Sequence, residues 1–234
     1  MSIPLRFDRP QPNAFGVELA TAKSLGDTRT GSSVNFEQIT FVPHCNGTHT
    51  ECVGHITDKR ISIRDCLNEV FIPAVLISIY PEVDGEDSTL TRGAIESAVH
   101  DPEAFEANRG ALIVRTLPND DSKLSRIYDA DNVPPYFTGE AMEFIVACGF
   151  KHLLVDLPSI DRLYDEGKLL NHRLFWNVEP GSFEINTKTR TGSTITELIY
   201  VPNEVEDGEY LLNLQIAPFE SDAAPSRPIL IKPA

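Results

Sequence analysis

Residues 138–157 read Thr138-Gly-Glu-Ala-Met-Glu-Phe-Ile-Val-Ala-Cys-Gly-Phe-Lys-His-Leu-Leu-Val-Asp-Leu157 and join a predicted helix to a predicted buried strand. Thr138 is a favourable N-cap residue, Gly149 is a favourable C-terminal stop, and the apolar residues between them recur at helical spacing. The apolar run 152–157 is short, as strands buried on both faces are. A helix that leads straight into a buried strand is half of a βαβ unit, so this segment predicts an α/β fold.

Apolar runs of strand length flank this segment, two before it and three after it: 72–79, 111–116, 197–201, 210–216 and 228–232. Between the first two runs, residues 91–108 have helical character, with Thr91 placed as a cap. The last three runs follow one another without helices, whereas parallel strands need long crossover connections. The sequence therefore predicts a mixed, partly barrel-like sheet flanked by helices. The polar stretch 183–193 fits either an added hairpin or a flexible loop.

Length and composition indicate one soluble domain that spans residues 1–234. The chain is 41% hydrophobic, and it has no apolar tract of the about 18 residues that cross a membrane. Its net charge of -15 disfavours nucleic acid and anionic membranes, which attract clustered Lys and Arg, and favours a small-molecule partner. The N-terminus lacks the features of a secretory signal and the four cysteines form no CxxC pair, so we expect a cytoplasmic protein with reduced thiols.

Residues 44–55, His-Cys-Asn-Gly-Thr-His-Thr-Glu-Cys-Val-Gly-His, hold three of the six histidines, two of the four cysteines and a glutamate. They follow a strand-like run at 36–42. If the strand continues, alternate side chains share a face, and Cys45, His49 and Glu51 project together. Thiolate, imidazole and carboxylate are the usual zinc ligands, and zinc with an open position turns water into a nucleophile near neutral pH. The cluster therefore indicates a metal or catalytic site.

Two other histidines of the cluster have different interpretations. His55 lies beyond Glu51 after a glycine, and its unperturbed pKa of about 6.5 suits proton transfer to a leaving group. His44 replaces Cys45 as a ligand if a β-bulge shifts the register, because bulges often re-aim side chains near active sites. The alternative for the whole cluster is a set of hydrogen-bonded strand residues without a catalytic role.

The string 45–55 resembles the H-x-G-T-H-x-D-x-P-x-H signature of the metal-dependent cyclase-like hydrolases, the family of bacterial kynurenine formamidase and isatin hydrolase. Four positions coincide with the signature: Gly47, Thr48, His49 and His55. Three positions differ, because Cys45, Glu51 and Val53 stand where the signature has His, Asp and Pro. The resemblance extends over most of the chain, through the elements 111–116, 138–161, 172–175, 195–198 and 225–228.

The resemblance implies a hydrolase that cleaves the C–N amide bond of a small aryl formamide or cyclic amide with metal-activated water. The implied metal ligands are Cys45, His49, Glu51, His172 and Glu197. Glu51 and Glu197 would bridge two ions, and the implied catalytic residues are His55, as general acid/base, and Glu197. The family also implies a homodimer or a higher homo-oligomer.

The departures from the family pattern affect the metal and the chemistry. A cysteine at position 45 adds a soft thiolate, which favours zinc over manganese or leaves a single ion bound. His172 and Glu197 lie farther apart than in the family, which points to an insertion at 183–193 and makes Glu184 the fallback ligand. Two alternatives remain: a lactone or ester hydrolase on the same scaffold, and a catalytically degenerate member that acts as a binding or scaffold protein.

Two further pairs of residues have both a functional and a structural interpretation. Phe175 and Trp176 follow His172 closely and form either an aromatic wall for a ring-bearing substrate or part of the core. Ser159 and Asp161 suggest a nucleophile pair, but no GxSxG motif surrounds them, so a structural turn is favoured.

Overall fold

An eight-stranded mixed sheet forms the centre of the computed structural model, which describes residues 1–7, 9–85, 87–99 and 109–233. The described strands are β1 Asn13–Ala14, β2 Thr21–Gly26, β3 Phe36–Thr40, β4 His49–Cys52, β5 Ile72–Ile79, β6 Glu82–Asp84, β7 Asp87–Leu90, β8 Ala111–Thr116, β9 Ile127–Tyr128, β10 Tyr136–Phe137, β11 His152–Val155, β12 Thr194–Glu197, β13 Gly208–Asn213, β14 Ala223–Pro225 and β15 Ile229–Ile231. The described α-helices are α1 Ile63–Cys66, α2 Arg92–Ala98, α3 Gly139–Cys148 and α4 Leu170–Trp176.

The strands of the large sheet lie in the order β14-β4-β12-β11-β8-β5-β13-β15. The central strands β5, β8, β11 and β12 run parallel, whereas β4 is antiparallel to β12 and β13 is antiparallel to β5. The sheet curls into a half-barrel with helices against it, which confirms the predicted α/β fold with a mixed, partly barrel-like sheet. Among the late strands, β13, β14 and β15 pair antiparallel with their neighbours, whereas β12 is parallel to β11.

Helix α3 forms where its caps and apolar spacing predict it. The hydroxyl of Thr138 accepts a hydrogen bond from the amide of Ala141 at 3.2 Å, and Gly149 ends the helix in a left-handed conformation with φ of 90°. Met142 and Ile145 are fully buried against the sheet. Burial of side chains of this size contributes roughly 1.5–3 kcal/mol each, so the helix is held mainly by this face.

Two predicted strands differ from the structure. Strand β12 ends at Glu197, where the run 197–201 was expected to begin, because Leu198 takes a left-handed φ of 52° that stops the ladder. The amide of Leu198 donates instead to the carbonyl of Leu157 at 2.9 Å. The run at 36–42 supplies β3, which pairs with β2 in a separate two-stranded sheet.

Two other expectations concern the connections. Helix α2 is capped by the Thr91 hydroxyl, which accepts from the amide of Ala94 at 3.0 Å, while 100–108 of the predicted helical region lie outside the described residues. Residues 183–193 form an irregular loop with two short turns and no hairpin, and the loop is tied to α4, since Trp176 Nε1 donates to the carbonyl of Ser193 at 2.9 Å. In the described part of the chain, no helix is long and apolar enough to cross a membrane.

Candidate metal centre

Strands β4 and β12 bring three buried donor side chains together. The antiparallel register pairs His49 with Glu197, and Glu51 lies two residues along β4 on the same face. Nε2 of His49 lies 3.5 Å from Oε2 of Glu197 and 4.0 Å from Oε2 of Glu51. All three residues are at most 3% exposed. The pairing of two strands therefore makes one compact donor group from residues that are distant in sequence.

Helix α4 adds His172 to the other side of Glu51. Nε2 of His172 lies 3.0 Å from Oε1 of Glu51 and 3.8 Å from Oε1 of Glu197. Oε1 of Glu197 also accepts a hydrogen bond from the amide of Ile160 at 3.0 Å, which fixes its direction. The structure thus places His49, Glu51, His172 and Glu197 together, with both carboxylates between the two imidazoles.

Asp161 holds His172 in place. Its carboxylate lies 2.6 Å from Nδ1 of His172 and accepts the amides of Asn171 at 2.7 Å and His172 at 3.2 Å. These amides lie at the start of α4, where Leu169 offers no capping side chain. Asp161 therefore caps the helix and directs Nε2 of His172 towards Glu51. The chain bends at Asp161, whose amide donates to Ser159 Oγ at 3.1 Å, and the Asp161 side chain also has this second role.

A short 3-10 turn, Val53–His55, carries His55 to the edge of the site. The turn packs tightly, since a Cβ atom on Gly54 would lie 2.3 Å from the carbonyl oxygen of Ile61. The His55 side chain is 30% exposed, and its ring centroid lies 4.4 Å from that of His44. His55 borders an open cleft of about 670 Å³ whose walls include Thr57, Asp58, Arg60, Ser62 and Glu220.

Strand alternation predicted that Cys45 lies beside His49, but Cys45 lies outside the strand. Strand β4 begins only at His49, and residues 43–45 form a turn. Among the described residues, the Cys45 thiol belongs to none of the groups of three donors spaced for a metal ion. Burial raises the pKa of this thiol to about 11, with further contributions from the negative charges of Glu197 and Glu51. Its ligand role therefore remains a prediction that the geometry does not favour.

His44 and Asp222 lie closer to the site than the sequence indicated. Nε2 of His44 lies 3.5 Å from Oε2 of Glu51 and 3.0 Å from Oδ2 of Asp222. Asp222 arrives because β14 pairs with β4, aligning Ala223 with Glu51. This pairing joins residues over 170 positions apart, and no local motif in the sequence announces it. Sequence reasoning left His44 as an alternative ligand and missed Asp222.

The aromatic pair beside His172 is part of the core. Phe175 and Trp176 are both fully buried, and the Trp176 ring centroid lies 5.5 Å from that of His172. Their rings therefore support His172 from below rather than lining a surface that a substrate reaches. The fallback ligand Glu184 is exposed in the turns of 183–193.

The buried carboxylates of the site are stabilised in their ionised form by the imidazoles around them. Burial alone would raise the pKa of Glu51, but the charges of His55, His172 and His44 and a hydrogen bond with His172 lower it overall. Burial disfavours the charged form of His172, yet Asp161 and Glu51 raise its pKa well above the usual value. The neighbouring imidazoles of His44 and His55 lower the pKa of Asp222. The imidazoles around Glu51 and Asp222 therefore favour the ionised form of both carboxylates.

The donor set fits a metal ion. Nδ1 of His49 lies 3.0 Å from the carbonyl of Gly47 and donates to it, so the lone pair of Nε2 faces Glu51 and Glu197. Within the described residues, this buried Nε2 atom has no hydrogen-bond partner. Bonds of 2.0–2.2 Å in tetrahedral zinc sites separate ligand atoms by about 3.4 Å. The separations of 3.0–4.0 Å among His49, Glu51, His172 and Glu197 bracket that value.

Comparisons with known proteins identify related sequences and folds. A family model described as putative cyclase matches residues 1–162. Two curated relatives are kynurenine formamidases, from Bacillus cytotoxicus (26% identical) and from Bacillus thuringiensis (24% identical); each alignment covers 94% of this chain and 89% of the relative.

Solved structures share the fold at low identity. A predicted metal-dependent hydrolase from Bacillus stearothermophilus superposes with a TM-score of 0.67 at 16% identity, covering 98% of this chain and 95% of that one. An isatin hydrolase bound to the product analogue thioisatinate superposes with a TM-score of 0.60 at 13% identity, covering 97% and 91% of the two chains.

Proposed function

The chain belongs to the putative cyclase family, and from this membership we propose that it is a metal-dependent amidohydrolase that cleaves the C–N bond of a small aryl formamide or cyclic amide. The kynurenine formamidase and isatin hydrolase among its relatives and structural neighbours support this substrate class. The observation that carries the proposal is the position of Glu51, whose two carboxylate oxygens face His49 on one side and His172 on the other.

One ion would be held by the donor group His49, Glu51 and Glu197. The other would be held by Glu51 and His172, with Glu197 as third ligand 3.8 Å from His172, and His55 also lies among the donors of this second position. We leave Cys45 out of this set because its thiol lies outside the donor groups. A mixed set of imidazoles and carboxylates suits zinc, with manganese as the alternative. When bound, the metal would polarise the scissile carbonyl and lower the pKa of water so that it attacks at neutral pH.

The residues of the chain supply the proton transfers. His55 lies between the buried donor group and the open cleft, so its ring reaches both solvent and substrate. It accepts a proton from the attacking water and returns it to the nitrogen as the C–N bond breaks, so the amine leaves as a neutral group. Glu197, which is fixed by the Ile160 amide, keeps the buried donors aligned during the reaction.

A substrate panel with metal removal tests the proposal. Purified protein is assayed with an aryl formamide, a cyclic amide, an ester and a lactone, before and after chelation, with elemental analysis of each sample. We expect amide hydrolysis that disappears on chelation and returns with zinc or manganese. Undiminished turnover in a sample shown to be metal-free would exclude a metal-dependent mechanism, and hydrolysis of esters or lactones alone would favour the other chemistry.

The hairpin β2–β3 supports the homo-oligomer that the family resemblance implies. Four of its apolar side chains are about half exposed: Leu25, Val34, Phe36 and Ile39. Two strands alone are marginally stable in water, so we propose that a second copy covers this hairpin. Light scattering on the purified chain tests the assembly, and a monomer at micromolar concentration would contradict it.

A further inference from the structure

We propose that His44, His55 and Asp222 form a separate outer site for a divalent transition-metal ion such as Zn²⁺, and that an ion bound there inhibits the enzyme. The prediction that this ion inhibits the enzyme rests on the proposed function, in which His55 carries the proton. The prediction that the ion binds does not depend on the proposed function. The outer site adjoins the buried donors, since Nε2 of His44 lies 3.5 Å from Oε2 of Glu51 and His55 also forms a donor group with Glu51 and His172. It adds two residues, His44 and Asp222, that the family resemblance leaves without a role.

The three donor atoms are spaced for one ion. Oδ2 of Asp222 lies 3.0 Å from Nε2 of His44 and 3.4 Å from Nδ1 of His55. One donor atom from each of the three residues lies within 4.8 Å of the other two. Nε2 of His44 is buried and, among the described residues, has no hydrogen bond of good geometry. Two imidazoles and one carboxylate with a further open position are a recurrent zinc set.

The outer site is open to solvent, unlike the inner donors. Its side chains are 24% exposed for His44, 30% for His55 and 31% for Asp222, and the last two line the cleft of about 670 Å³. Carboxylates of Asp58, Asp65 and Glu220 line the same cleft. These carboxylates outnumber the one basic side chain of the cleft lining, Arg60, so the excess negative charge concentrates cations beside the outer site.

The backbone holds the three residues in place without a ligand. The carbonyl of Asp222 accepts from the amide of Cys52 at 3.0 Å, and Ser221 Oγ donates to Oδ1 of Asp222 at 3.2 Å. The turn that carries His44 is closed by the Asn46 side chain, whose Oδ1 accepts from the amide of Val42 at 2.7 Å. Because the donors sit on fixed backbone, binding requires little ordering of the chain.

Occupation of the outer site would remove His55 from proton transfer. A ring nitrogen that gives its lone pair to an ion neither accepts nor returns a proton. By mass action, an ion at ten times its dissociation constant leaves about one eleventh of the molecules free. We therefore expect about tenfold inhibition at that concentration, at metal levels above those that fill the buried site.

The binding experiment uses protein already loaded at the inner site. Zn²⁺ alone is titrated calorimetrically, and the ions per chain are counted by elemental analysis after equilibrium dialysis. The wild-type protein is expected to take up one ion beyond the inner ones. Asp222→Asn and His44→Gln, on different segments of the chain, are each expected to lose that ion and keep the inner ones. Glu220→Gln, a carboxylate of the same cleft outside the donor group, is expected to keep it.

The outcome is decisive in both directions. No additional ion in the wild-type protein, or unchanged uptake in both Asp222→Asn and His44→Gln, would overturn the outer site. A fall in turnover for Asp222→Asn with unchanged ion count would also overturn it, since Asp222 would then only orient His55. If no substrate is turned over at all, the proposed function fails, and the ion count still decides the outer site.

Discussion

Nδ1 of His172 lies 2.6 Å from Oδ2 of Asp161, and this contact determines which ring nitrogen His172 offers to the site. When Nδ1 carries the proton and donates it to the carboxylate, the lone pair on Nε2 points at Glu51, 3.0 Å away. Two acceptors facing each other at that distance need a proton or a cation between them. A carboxylate behind a histidine ligand is a frequent arrangement in metal sites, where it fixes the tautomer and ring orientation.

Asp161→Asn is expected to weaken binding of the ion beside His172 about 10- to 100-fold. The Asn oxygen still accepts from the amide of Asn171, whereas the NH2 group that replaces Oδ2 loses the amide of His172 and donates to Nδ1, so Nε2 carries the proton and loses its lone pair. The measurement is metal stoichiometry, together with the ¹⁵N shifts of His172 that report the tautomer. Asp165→Asn is the matched control, because Asp165 also caps this loop, through the amides of Gly167 and Leu169. Equal metal loss in both variants would show that the effect is only structural.

Glu51→Gln is expected to empty both inner positions and to reduce amide turnover by at least about a thousandfold, since its carboxylate faces both imidazoles. Elemental analysis of the purified variant is the direct measurement. Glu184→Gln is the control, because that side chain is exposed in the turns of 183–193. Metal loss in the Glu184 variant with retention in the Glu51 variant would reverse the ligand assignment.

Local patterns predicted the parts of the fold that local chemistry determines. The apolar runs at 72–79 and 111–116 coincide with β5 and β8, and the caps of α3 lie at Thr138 and Gly149. Strand alternation also correctly put His49 and Glu51 on one face. These features depend on neighbours within a few residues, which is why the sequence alone reveals them.

The remaining parts depend on contacts between distant segments or on single backbone angles. Asp222 reaches the site through the pairing of β14 with β4, which no periodicity encodes. The left-handed φ of Leu198 ends β12 at a position where hydrophobicity alone predicts that the strand continues. Strand alternation predicted that Cys45 lies in the strand beside His49, but the strand begins only at His49. His172 and Glu197 were found through the family resemblance alone.

Lowering the pH is expected to destabilise the protein through His152. Burial, with smaller contributions from the charges of Lys151 and Arg190, lowers the pKa of this imidazole from 6.5 to about 3, although Glu69 lies 3.7 Å away. Between these values the unfolded chain binds a proton that the folded chain does not, so stability is complete above pH 6.5 and falls below it. At pH 5 the loss amounts to about 2 kcal/mol.

Urea unfolding at pH 7.5 and pH 5 checks this in the wild-type protein and in His152→Gln. Carboxylates and metal ligands titrate in both proteins, so they cancel in the comparison. The wild-type protein should lose about 2 kcal/mol more than the variant between the two pH values. The same pH dependence in both would mean that His152 is protonated in the folded state.

Gly54→Ala is expected to reduce both stability and turnover, because the new methyl group would lie 2.3 Å from the carbonyl oxygen of Ile61. Overpacking of this kind lowers the free energy of unfolding by about 1–3 kcal/mol. The clash is relieved only if the turn Val53–His55 moves. Displacing His55 should lower kcat more than it raises KM. Gly93→Ala in α2 is the contrasting variant, since its nearest neighbour is 3.8 Å away and alanine favours helices by about 0.5–1 kcal/mol. Thermal melts should therefore show lower stability for Gly54→Ala and higher stability for Gly93→Ala. Steady-state kinetics should show reduced turnover in Gly54→Ala alone.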